Sequence, residues 1–257
     1  MRRQEKLNKD VKYIYDSRGF GTLFIDRADK KNAISSRVAE DLNNLIDQIS
    51  VDEINFLVLN SADSNVFCAG GDLNELHGEL TEDEAYEDLK PMKEFLFKLA
   101  TFPLPTIALL HGIALGGGCE LATACDFRIA KEDTRFGFVQ ANLGILPGWG
   151  GGALLYEKVA PTFAYKWLID AAMYSATYLE ENNWLHRIVP KDEWDEDRLI
   201  ETYLTRSHGQ MLHLKSQYLE KIDQAKIYKN MDLESQRSAS LWESEEHIAA
   251  VATFLNK

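Results

Sequence analysis

Cysteine is scarce: Cys68, Cys119 and Cys125 are the only three in 257 residues. They show no CxxC spacing, which excludes a disulfide framework and points to a reducing compartment. Basic residues are in deficit, 28 Lys and Arg against 41 Asp and Glu, for a formal net charge of −13. A nucleic-acid or anionic-membrane partner, either of which needs a basic face, is therefore not expected. No apolar run approaches the length of a membrane span, and the opening "MRRQEKLNKD" leads into no apolar signal core, so the expectation is a soluble cytoplasmic protein. The six histidines share no ligand spacing with the cysteines, and no metal is expected. What is present is an apolar fraction of 45%, enough for one substantial core without staples.

Patterning divides the chain in two. "VKYIYD" (11–16) and "GTLFIDR" (21–27) read as a hairpin turning near Arg18 and Gly19. Residues 35–50 read as a helix capped by Ser35 or Ser36, with Val38, Leu42, Leu45, Ile46 and Ile49 on one face. "NFLVLNS" (55–61) reads as a strand buried on both faces. "FCAGGDLNEL" follows as a glycine loop, and an acidic stretch from Glu79 to Lys90 begins a solvated helix. "LPTIALLHGIAL" (104–115) reads as one more apolar strand running into glycines and a helix, with "DFRIA" (126–130) and "TRFGF" (134–138) as two further short strands. The recurring strand, strand, helix unit predicts an α/β fold of irregular coils over 1–190. Beyond about 190 the periodicity is helical, so 191–257 is expected to be a C-terminal helical module.

Two of these loops carry chemistry. "CAGGDL" and "ALGGGCEL" each end an apolar strand in glycines and open a helix, which leaves backbone amides without intrahelical partners. Facing each other, they would supply two converging donors for a developing oxyanion; taken singly, each reads first as a tight turn that permits close helix packing. Glu120, in the second loop, is an acid in an otherwise apolar stretch, where burial of a carboxylate is costly unless it has a task.

The ordered pair "FCAGGDLNEL" and "HGIALGGGCELATACDFRIA" resembles the crotonase (enoyl-CoA hydratase/isomerase) family, as do "DRADKKNAIS" (26–35) and "RFGFVQANLGILPGWGGG". The resemblance covers about residues 10–190 closely and implies a crotonase-like spiral of repeated ββα units. It implies an acyl-CoA thioester as substrate, coenzyme A arriving with it and no separate cofactor. It also implies oxyanion donors at the amides of Gly71 and Gly117, and contacts to the coenzyme A moiety around Lys30, Lys31, Ala33, Ala69, Asp72 and Leu73. Lys30 and Lys31 suit phosphate as point charges, though both fit a solvated surface equally well. Glu120 stands at one of the family's two catalytic glutamates. The second, four residues after the phenylalanine of Phe-Gly-x-Pro-Glu, is here Gln140.

That departure matters, because glutamine holds a water or a carboxylate but exchanges no proton near neutral pH. Two-glutamate hydration and isomerisation both lose a participant, whereas decarboxylation of a malonyl-type thioester needs no base. "ELATACDFRIA" with "FGFVQANLGILPGWGG" (136–151) is also similar to the ethylmalonyl-CoA decarboxylase branch, with Asn142 and Trp149 as expected pocket residues. A family-like helical tail implies a homotrimer or a dimer of trimers, with Phe254 and Lys257 near a neighbouring site. Two other readings stand beside this one: a coenzyme A-binding scaffold without activity, and a dinucleotide loop at "GWGGGA" (148–153) with Asp170 at ribose distance. Pro147 stands where that loop's preceding strand should end, which disfavours the dinucleotide site.

Overall fold

The computed structural model describes residues 4–7, 9–62, 65–73 and 80–255. Its strands are β1 (Gln4–Leu7), β2 (Val11–Asp16), β3 (Phe20–Ile25), β4 (Phe56–Ser61), β5 (Val66–Cys68), β6 (Thr106–Leu110), β7 (Ile113–Leu115), β8 (Phe127–Lys131), β9 (Arg135–Gly137), β10 (Tyr174–Ser175) and β11 (Arg187–Val189). They form a seven-stranded sheet in the order β1-β2-β3-β4-β6-β8-β11 and a four-stranded sheet in the order β10-β9-β7-β5. The β2–β3 hairpin is antiparallel, and from β3 to β11 every pairing in the large sheet is parallel.

This order explains the coil. Each turn of chain gives one strand to the large sheet and the next to the small one before a helix returns it: β4 then β5, β6 then β7, β8 then β9. The fold is an α/β crotonase-type spiral of β-α units with a C-terminal helical region. The sequence reading of 104–115 as one strand is therefore corrected. The run breaks at His111 and Gly112 because β6 and β7 serve different sheets, and a Cβ on Gly112 would stand 2.4 Å from the Asn65 carbonyl carbon. β1 is a further strand that the charged opening residues gave no reason to expect; it pairs antiparallel with β2.

Helix α1 (Ser36–Asp47) begins where the Ser35 hydroxyl accepts from the Val38 amide, and it buries Val38, Leu42, Leu45 and Ile46. Helix α2 (Glu82–Ala100) opens on a Thr81–Glu84 capping box. It is longer and less solvated than its acidic start suggests, since Leu89, Met92, Phe95, Leu96 and Leu99 all enter the core. Helices α3 (Gly117–Ala124), α4 (Gly151–Lys158), α5 (Pro161–Asp170) and α6 (Ala176–Glu181) follow, then α7 (His208–Leu219), α8 (Gln224–Ala239) and α9 (Glu245–Leu255). Among the described residues no helix is long and apolar enough to cross a membrane.

Candidate active site

In the small sheet β5, β7 and β9 lie side by side and parallel, so the segments leaving their C-terminal ends are stacked as well. Those segments are the loop of Gly70 and Gly71, the loop of Gly116 and Gly117, and the turn holding Gln140. Ligands of parallel sheets gather at such strand ends. The two glycine loops touch: a Cβ on Gly70 (φ 95°) would lie 2.9 Å from the Leu115 carbonyl oxygen and 3.2 Å from the Gly117 nitrogen. Only glycine allows that approach.

Residues 27–34 hold the first loop in place. The Ile34 amide donates to the Gly70 carbonyl at 2.8 Å, and the Asp72 amide donates to the Ile34 carbonyl at 2.8 Å. The Arg27 guanidinium reaches the Ala33 carbonyl at 2.7 Å and the buried Asp72 carboxylate at 3.2 Å. Ala69 donates to the Lys31 carbonyl at 3.1 Å, while the Lys30 and Lys31 side chains are exposed beside this segment. Leu73 is half-buried; the rest of "FCAGGDLNEL", together with His77, lies outside the described residues.

Glu120, in the first turn of α3, is 2% exposed. Its carboxylate accepts four hydrogen bonds: Gln140 Nε2 at 2.9 Å and the Gly148 amide at 3.4 Å on Oε1, the Trp149 amide at 3.0 Å and the Gly151 amide at 2.9 Å on Oε2. Burial pushes its pKa up to about 7, against the lowering effect of those four donors. A carboxyl in that range is present in both protonation states near neutral pH. Gln140 occupies the expected neighbouring position and is 8% exposed. Its amide nitrogen is spent on Glu120, and its Oε1 is buried with no hydrogen-bond partner among the described residues.

The run "PGWGGG" is the seat for this acid. Gly150 takes φ 83° and caps α4, and a Cβ on Gly151 would stand 2.2 Å from the Glu120 Cβ. Trp149, 4% exposed, lays its six-membered ring over Gly117, so close that a Cβ there would meet it at 2.2 Å. The indole is therefore a wall of the glycine-loop region. Asn142 does not join it. The side chain is exposed and donates to the Ala171 carbonyl at 2.8 Å, which anchors the turn Gln140–Leu143 from outside. The "GWGGGA" loop follows that turn and no strand, and Asp170 is an exposed residue of α5 paired with Lys166, so no dinucleotide unit forms. Lys257 lies outside the described residues, as does the side chain of Phe254.

Sequence reasoning missed what α8 contributes. The hydroxyl of Ser235 donates to the Gly148 carbonyl at 2.7 Å, and that of Ser238 to the Leu146 carbonyl at 2.9 Å. Glu234 accepts from the Gly152 amide at 3.0 Å. Nothing local in "LESQRSAS" marks these residues, because their partners lie more than eighty positions earlier in the chain. Beside this seam opens a cavity of about 690 Å³, walled by Phe138, Ile145, Tyr156 and Leu168, with Gln140 and Glu234 also in its lining.

Comparison with known proteins gives the context for this geometry. The family model described as enoyl-CoA hydratase/isomerase matches residues 17–257. A mitochondrial methylglutaconyl-CoA hydratase of Mus musculus is 34% identical over 157 residues, 61% of this chain and 50% of the mouse protein. The chain spans about half the length of that relative and of its human and rat counterparts. A probable enoyl-CoA hydratase of Bacillus subtilis is 29% identical over 229 residues, 88% of each chain. In fold, the crystal structure of an enoyl-CoA hydratase from Mycobacterium avium subsp. paratuberculosis superposes with a TM-score of 0.83 at 18% identity, over 96% of both chains.

Proposed function

The chain belongs to the enoyl-CoA hydratase/isomerase family, and from that premise we propose that it processes an acyl-CoA thioester through an enolate. The amides of Gly71 and Gly117 are the proposed oxyanion donors and Glu120 the acid/base. One observation carries this reading: two glycine loops in contact at the ends of parallel strands, with a buried carboxylate, its pKa pushed up to about 7 by burial, in the helix that the second loop opens. Lys30, Lys31, Ala33, Ala69, Asp72 and Leu73 line the segment on which the coenzyme A moiety would rest, and Trp149 would bound the acyl group at Gly117.

In hydration, the water oxygen bonds to the β-carbon and the π pair moves onto the thioester oxygen, held by the two amides. Glu120 gives a proton to the α-carbon as the enolate collapses and takes in its place the one that the water loses. A second reading, decarboxylation of a short malonyl-type acyl-CoA such as methylmalonyl-CoA or ethylmalonyl-CoA, is favoured by one feature, the non-ionisable Gln140 in place of a second acid. There the C–C bond breaks, CO₂ departs, the electron pair enters the enolate, and Glu120 protonates the α-carbon.

The test assays crotonyl-CoA hydration and the decarboxylation of both malonyl-type thioesters side by side, in wild type and in Glu120→Gln. Turnover of one class, lost by at least about a hundredfold in Glu120→Gln, supports the reading and chooses between the two reactions. Turnover indifferent to Glu120→Gln sinks it.

A further inference from the structure

Gln140 leaves Glu120 without an ionisable neighbour four residues after Phe136, yet a second carboxylate sits against the same helix end. Glu234 Oε1 accepts from the Gly152 amide at 3.0 Å, one residue beyond the Gly151 amide that Glu120 holds at 2.9 Å. Each acid has its own glycine. A Cβ on Gly151 would strike the Glu120 side chain at 2.2 Å, and one on Gly152 would stand 2.5 Å from Glu234 Oε2. The third glycine of the run, Gly150, turns the chain so that these consecutive amides point at the pair. A helix end offers about half a positive charge, enough to compensate one carboxylate and not two.

The cavity supplies an independent sign that a protic group belongs here. Gln140 and Glu234 line the same space, and the Gln140 Oε1, in a residue more than nine-tenths buried, is an acceptor without a donor among the described residues. A buried acceptor of this kind calls for a water or a hydroxyl group. We propose that Glu234 is the carboxylate partner of Glu120, the two sharing one proton at the amino end of α4, and that it acts as a positioning residue for the proton that Glu120 delivers.

Burial and the Glu120 charge push the Glu234 carboxyl well above the usual carboxylate range. The other charged or titratable groups of this cavity are Tyr156 and Glu157 on α4, Tyr165 on α5 and Arg237 on α8, the last exposed and screened by solvent. On the other face of α8, Lys93 of α2 pairs with Asp232, and Glu94 accepts from the Tyr228 hydroxyl. The α2 groups thus engage other residues of that helix. In hydration the shared proton closes the balance that Gln140 leaves open. Glu120 gives its proton to the α-carbon, the attacking water's proton replaces it, and the pair ends each cycle as it began, with one proton and one negative charge.

The inference rests on the acid/base role proposed for Glu120, and its test separates the two. Glu234→Gln keeps an acceptor for the Gly152 amide but removes the charge. The alkaline limb of the kcat/KM profile should then move down by about one pH unit, while Glu234→Asp, which keeps the charge, should stay near wild type. Independently of turnover, ¹³Cδ-glutamate NMR should show two coupled titrations in wild type and, in Glu234→Gln, a single one at lower pH for Glu120. An unmoved pH limb with an unmoved Glu120 titration overturns the pairing. A wild type whose turnover ignores Glu120→Gln overturns the functional reading, and the NMR titration still decides the pairing.

Discussion

Alanine substituted for glycine in a helix should stabilise it, and at Gly151 we expect the opposite. The intrinsic gain is about 1 kcal/mol of helix propensity. Against it stands a methyl group 2.2 Å from the Glu120 Cβ, 2.4 Å from its Cγ and 2.6 Å from its Cα, so rotation of the side chain gives no relief and α3 and α4 must part. Overpacking of that kind costs about 1–3 kcal/mol. Parting the helices also stretches the 2.9 Å bond from the Gly151 amide to the buried carboxylate, and hydrogen bonds to charged groups contribute about 1.5–3 kcal/mol. The net expectation for Gly151→Ala is a loss of about 2–4 kcal/mol, read as a melting point lower by about 5–10 °C, together with a fall in kcat as Glu120 leaves its seat. Gly209, in α7, has no atom within 4 Å of its missing Cβ, and Gly209→Ala is the matched control, expected to gain about 0.5–1 kcal/mol. Thermal and urea unfolding of both variants, with acyl-CoA turnover alongside, make the comparison. If Gly151→Ala is as stable as Gly209→Ala, the glycine is not there to seat Glu120.

The raised Glu120 pKa also makes stability depend on pH. With a folded value of about 7 against 4.5 for the ordinary side chain, the native state binds the extra proton, so stability is highest below about pH 4.5 from this group and is lost as pH rises to about 7. The loss is about 3 kcal/mol at most, and urea titrations at several pH values should show Glu120→Gln flattening the slope, with the part that the raised Glu234 carboxyl contributes left in place. Gln140→Glu would put a carboxylate where an amide now donates to Glu120 at 2.9 Å, supplying an ionisable neighbour; hydration of crotonyl-CoA should rise by about tenfold or more. Fast native hydration, unimproved by the change, would show that Gln140 is no handicap. Asn142→Ala should leave KM and kcat within about twofold of wild type, because that side chain faces Ala171 and solvent; a large change would return Asn142 to the pocket.

Much of this was legible in the residues, for reasons that also explain the rest. Apolar runs bounded by glycines identified the strands that feed the site, because a strand buried on both faces leaves a local mark. The same rule failed at 104–115, where one largely apolar run serves two sheets and His111 with Gly112, the latter close against Asn65, separates them. Glu120 stood out because an acid among small and apolar residues contradicts the composition around it. Trp149 and Asn142 sit seven residues apart and read alike as pocket residues, yet one packs on Gly117 and the other faces out, a difference that only the path of the turn at 140–143 decides. Glu234 was invisible: an acid in a polar helix looks like a solvated one until the helix docks.

The stitching of α8 to the 146–152 loop through Ser235, Ser238 and Glu234 has a consequence in time. A chain emerging from the ribosome lays down β4 to β9 and the segment that cages Glu120 well before the helix that clasps that segment exists. Until residue 238 has emerged, the Leu146 and Gly148 carbonyls and the Gly152 amide must find water, and the cage stays loose. Nascent chains halted before α8 should therefore show the spiral's protection against hydrogen exchange without protection of the Gly151 and Gly152 amides. The order of synthesis thus keeps a proton-exchanging acid from being locked in place until the rest of the molecule has formed around it.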